Sequence, residues 1–204
     1  MAYVPKKSRG VFCLEGDWWY SLKRTSSVEP ILELLRQWDP FFVPFIHRNV
    51  ATAETLEYYL KKWAQKKHAD YPILYLAFHG NPGTIYIGDM RRRKSAVTLS
   101  EIADWLEGRC KGRIIYFGTC ATMDLHGHHL NRFLGQTGAL AVCGYTDEVD
   151  WLRATAFELL VFAAMQNNAL TVSGANAMKR RVFREAGYLV KELNFRMIVA
   201  RPSR

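Results

Sequence analysis

The stretch PILYLAFHG, residues 72–80, decides how the chain folds. It is apolar at nearly every position, with no helical period and no alternation. Strands buried on both faces look like this, and they belong to parallel sheets covered by helices. A second stretch, GRIIYFGTC (112–120), has the same character. Each run ends in one reactive side chain, His79 in the first and Cys120 in the second.

Outward from these runs, strand and helix signals alternate. Short strands are expected at GVFCLEG (10–16), TIYIGD (84–89), ALAVCGYT (139–146) and FRMIVA (195–200). PFFVPFIH (40–47) also reads as a strand, and Pro44 puts it at an edge or bulge. Helices are expected at 29–38, where Ile31, Leu34, Leu35 and Trp38 recur at helical spacing, and at 52–67, where Thr52 is an N-cap. TLSEIADWLEGRC (98–110) carries a Ser/Glu start signal. Further helices are expected at 124–138, 151–168 and 173–193. This alternation predicts an α/β fold, a three-layer α/β/α sandwich with a mostly parallel central sheet, in one domain over residues 1–204.

Of the 204 residues, 49% are hydrophobic, enough for one sizeable core. No apolar run approaches the roughly 18–20 residues of a membrane span, and the N-terminus lacks a signal-peptide core. A soluble, cytoplasmic protein is expected. The four cysteines (13, 110, 120 and 143) form no CxxC pair, which argues against a zinc site or a disulfide framework. Cys13 and Cys143 lie inside apolar runs and read as small buried hydrophobes.

The net charge of +9 is concentrated at 61–68, 91–94 and 179–184. Basic clusters can bind nucleic acid, but no nucleic-acid-binding signature accompanies them, and solvated helix faces and a loop tip explain them more simply. No glycine-rich phosphate loop is present. His126, His128 and His129, with Asp124, lack metalloprotease spacing and read as a solvated cluster, so neither metal nor cofactor is expected.

In a parallel sheet, sites form beyond the carboxyl ends of the strands, and His79 and Cys120 both occupy such positions. Imidazole is suited to take the proton of a thiol that attacks a carbonyl. Gly80 leaves its backbone N–H open to a substrate carbonyl, and with the N–H of Cys120 it would form an oxyanion hole. A helix starting directly after GTC would point its positive end at the thiol.

These blocks resemble the caspase-like cysteine peptidases, CHAT-type members above all. The resemblance covers about residues 72–168 and rests on ILYLAFHGNPGTIYIGD, GRIIYFGTC and GALAVCGYTDEVDWLRATAFELLVF. It implies a cysteine endopeptidase with His79 as general base, Cys120 as nucleophile, and Gly80 and Cys120 as oxyanion donors. Its partners would be a protein or peptide substrate and a regulatory protein. The caspase signature around the nucleophile is absent, and the His–Cys separation of 41 residues (120 − 79) is short of the roughly 50 expected there. Asp147, Glu148 and Asp150 would lie near the pocket for the residue before the cleaved bond and favour Arg or Lys. The competing reading is an acidic loop capping the following helix; Asp150 is the better capping candidate and Asp147 the better pocket candidate. With an acidic pocket, RRRK at 91–94 becomes a self-cleavage candidate. The alternatives are an inactive scaffold that binds a partner and a basic nucleic-acid-binding protein.

Overall fold

The computed structural model describes residues 7–21, 23–88 and 95–201. Six strands form the central sheet: β1 (Val11–Glu15), β2 (Phe45–Asn49), β3 (Ile73–Ala77), β7 (Ile114–Gly118), β8 (Ala141–Tyr145) and β9 (Phe195–Val199). Their order is β2-β1-β3-β7-β8-β9, all parallel except β9. The strand pleat explains why β3, β7 and β8 are apolar throughout, and β1 up to its last residue, because successive residues enter different layers. Cys13, Tyr75, Tyr116 and Cys143 pack against the layer of α1 (Glu29–Gln37), α5 (Trp151–Met165) and α6 (Val172–Glu185). Leu14, Leu74, Ile115 and Val142 pack against α2 (Ala53–Trp63), α3 (Leu99–Trp105) and α4 (Gly127–Thr137). The result is a three-layer α/β/α sandwich.

Thr52 caps α2 as expected, its hydroxyl accepting from the Thr55 N–H at 3.2 Å. Pro44 immediately precedes β2, an edge strand of the sheet. Four details differ from the sequence expectations. His79 does not end a long strand: the chain turns at Phe78 and starts a small antiparallel sheet, β4 (His79–Asn81), β5 (Thr84–Tyr86) and β6 (Ala96–Thr98). The start signal at 98–110 is a capping box of Thr98 with Glu101. The helix expected over 173–193 is two, α6 and α7 (Gly187–Glu192), because Ala186 leaves helical geometry at φ −128°. Finally, α4 begins at Gly127, seven residues after Cys120, so no helix starts directly after GTC.

Among the described residues no helix is long and apolar enough to cross a membrane. Asp89 and the basic run 91–94 lie outside the described residues. The other two basic clusters sit on opposite layers, one on and beyond α2 and one on α6, and they are partly neutralised. Lys61 pairs with Glu57 at 2.5 Å and Arg184 with Glu185 at 2.9 Å.

Candidate active site

Strands β3 and β7 are hydrogen-bonded neighbours in parallel register, with Ala77 opposite Gly118. His79 and Cys120 each lie two residues beyond that pair. Equal offsets on strands about 5 Å apart bring the two side chains to one rim of the sheet. The pleat puts positions 75, 77 and 79 on the same side as 116, 118 and 120. Both side chains accordingly line one cavity of about 220 Å³, between the loop after β1 and the start of α5. That is smaller than the roughly 300–1,000 Å³ of most small-molecule sites, and suits a single side chain.

His79 is oriented by backbone. Its Nε2 lies 3.0 Å from the carbonyl oxygen of Trp18, and its ring meets the Trp18 indole edge-on with centroids 5.5 Å apart. A carbonyl only accepts, so Nε2 carries the proton and Nδ1 keeps its lone pair free to act as a base. Trp18 is fixed in turn by Glu15, the last residue of β1. Glu15 accepts hydrogen bonds from Trp18 Nε1 (2.6 Å), Ser27 Oγ (2.6 Å), the Val28 N–H (2.8 Å) and His47 Nε2 (2.6 Å). Burial pushes this carboxyl up, but the bonds from His47, Ser27, Trp18 and Val28 outweigh it and hold the group below its ordinary value.

Cys120 is half-buried, at the start of a tight turn. Ala121 takes a left-handed φ of 51°, held by its N–H to the Asp147 carbonyl at 2.9 Å and by the Asp124 N–H to its own carbonyl at 2.8 Å. A non-glycine residue in that region carries strain, and such residues concentrate at functional sites. Burial pushes the thiol above its ordinary value. Hydrogen bonds from the backbone N–H of Val149 and of Cys120 itself pull it back, while the charges of Glu148 and Asp147 raise it further. The sulfur is thus a neutral thiol at rest, and a base is needed to make it a nucleophile.

Gly80 sits against the cysteine turn. A β-carbon there would lie 2.6 Å from the Cys120 carbonyl oxygen and 2.3 Å from Thr122 Oγ1. Only glycine allows the His79 hairpin to approach the Cys120 turn this closely.

The acidic loop faces elsewhere. Asp150 caps α5, accepting from the Arg153 N–H at 2.9 Å. Asp147 accepts from the Glu148 N–H at 2.8 Å and from Asn194 Nδ2 at 3.4 Å. Asp147, Glu148 and Asp150 do not line the cavity; of that loop Val149 does, beside Trp151. The pocket role expected for the three acids does not fit this placement, because each is exposed and two are engaged in the loop's own turns. His126, His128 and His129 are exposed around the start of α4, with His126 at its N-cap.

Two residues of the site were not anticipated. Trp18 follows β1, whose carboxyl end opens on the same rim, so the parallel topology itself pointed to that loop. Glu158 is a lone acid within the apolar run ATAFELLVF of α5, and a charge inside a helix apolar on all sides is a signal that something polar faces it.

A family model described as a family of unknown function (DUF6642) matches residues 8–199. No curated protein matches the chain.

Proposed function

The chain belongs to this family of unknown function, and we propose that it is a cysteine peptidase in which Cys120 attacks a scissile carbonyl and His79 manages the proton. One observation carries this reading: two neighbouring parallel strands deliver imidazole and thiol, at equal offsets from a paired residue, into a shared cavity. In the first step the Sγ–H proton passes to His79 Nδ1 as sulfur bonds to the carbonyl carbon. The imidazolium then gives its proton to the departing amine. Water, deprotonated by His79, attacks the thioester and releases the acid, restoring the thiol. The Trp18 carbonyl holds the ring through Nε2–H and stabilises its charged state. The strand order, with five parallel strands and an antiparallel edge strand, supports the caspase-like resemblance, as does the small hairpin sheet after His79.

Peptidyl acyloxymethyl ketones ending in lysine, arginine or aspartate test the reading. Wild type should gain one covalent adduct by intact mass. Cys120→Ala should gain none, and His79→Ala should react at least about a hundredfold more slowly. Equal labelling of wild type and His79→Ala would leave a reactive surface thiol in place of a catalytic pair.

A further inference from the structure

The lining of the cavity includes a carboxyl group. Glu158, on α5, is 3% exposed and lines the same space as His79 and Cys120. Two hydroxyl groups bond to it and a third supports one of them. Tyr75 Oη donates to Oε2, Tyr145 Oη donates to Oε1 at 3.1 Å, and Tyr116 Oη donates to Tyr145 Oη at 2.9 Å. Among the described residues no cation pairs with Glu158. Gly118 keeps this arrangement possible: a β-carbon there would come within 2.4 Å of the Tyr75 ring and 3.0 Å of Glu158 Oε1. The lining also includes the apolar side chains of Trp18, Trp19, Val28, Val149 and Trp151.

A cavity with tryptophan and valine walls that also holds a buried acid, with no cation paired to it among the described residues, fits a side chain with an apolar stem and a cationic end. Resting on the peptidase reading above, we propose that Glu158 is the specificity residue of this cavity, and that it takes the terminal cation of a lysine or arginine side chain whose stem lies along the tryptophan walls. Indole faces add cation–π attraction on the way in. Binding is an exchange. The carboxyl O–H bond breaks, its proton leaves to solvent, and the carboxylate pairs with the ammonium or guanidinium group.

That exchange makes cation preference depend on pH. Burial pushes Glu158 up to about 8, with Tyr75 and Tyr145 pulling it down and the Glu15 charge adding to the rise. Other titratable groups face it from the sheet. Tyr75, Tyr116, Tyr145, Cys13 and Cys143 are all pushed up by burial and stay neutral through this range. Glu15 stays charged. From the cavity, His79 and Cys120 act on every substrate alike.

Matched acyloxymethyl ketone peptides ending in lysine or in norleucine, which lacks only the amine, isolate the effect in the full chain. The rate ratio of lysine to norleucine labelling is read by intact mass at pH 7, 8 and 9. It should exceed about tenfold at pH 9 and shrink several-fold at pH 7. Glu158→Gln keeps the shape and should bring the ratio near one at every pH. A wild-type ratio near one, or a high ratio indifferent to both pH and Glu158→Gln, overturns the assignment while norleucine labelling still upholds the peptidase. If neither peptide labels Cys120 although iodoacetamide alkylates it, the peptidase reading fails and this inference with it. The wild-type pH series needs no variant, so a Glu158→Gln chain that does not fold leaves the test standing.

Discussion

At Cys120 two opposed influences are separable. Backbone N–H groups stabilise the thiolate, while Glu148 and Asp147 oppose it from a loop outside the cavity. Removing one nearby negative charge lowers a thiol pKa, so more thiolate is present at a given pH. Glu148→Gln should speed iodoacetamide alkylation of Cys120 at pH 7.5 by roughly two- to fivefold, with no change in fold by circular dichroism. An unchanged rate would mean that the charge is not felt at sulfur. Gly80 makes the opposite kind of prediction. Its missing β-carbon would collide with the Cys120 carbonyl oxygen, which is backbone and cannot rotate away. Gly80→Ala should cost about 1–3 kcal/mol of stability in urea unfolding and at least about tenfold in Cys120 labelling by the ketone probes.

Among the elements, the loop between β1 and α1 is the one the site depends on. Glu15 gathers four hydrogen bonds from the loop and β2, and through Trp18 it sets the tautomer of His79. Glu15→Gln replaces a charged acceptor with an amide and removes one of its two acceptor oxygens. Stability should fall by about 1–3 kcal/mol. The pH profile of Cys120 labelling should also change shape, because the Trp18 carbonyl no longer fixes the proton on Nε2; a purely structural loss would lower the whole profile without moving it. The long elements were visible in the sequence for physical reasons. β3 and β7 are apolar on both faces, and α2 and α5 repeat apolar residues over many turns. What stayed hidden was short or locally ambiguous. β4, β5 and β6 have three residues each, too few for a period. Gly187 is tolerated in a helix pattern, so the break between α6 and α7 left no mark. His79 and Cys120 stood out because reactive residues at the ends of apolar runs are unusual, whereas the lone acid Glu158 gave a signal but no sign of which groups it would face.

For the molecule as a whole, the two buried acids shape stability against pH in opposite directions. Glu158 holds its proton more tightly folded than unfolded, its pKa raised from an ordinary 4.5 to about 8. Its contribution is neutral below pH 4.5, becomes increasingly unfavourable up to about pH 8, and is level beyond. Glu15 is lowered from the same ordinary value, so it stabilises the fold above pH 4.5 and loses that contribution as the solution becomes more acidic. The melting temperature of Glu158→Gln relative to wild type should rise steadily between pH 5 and pH 8 in thermal scans; a constant difference would mean that the carboxyl does not titrate there.

The Ile87 N–H meets the Ser95 carbonyl at 2.8 Å, and β5 pairs with β6 on either side of the basic run. The chain therefore leaves and re-enters the small sheet at one clasp. A backbone broken between 88 and 95 leaves Ile87 bonded to Ser95 and β5 paired with β6, and the histidine hairpin need not move. Such a nicked protein should elute whole from a sizing column and separate into two pieces only in denaturant. If scission at RRRK occurs, it would be a scar rather than a switch.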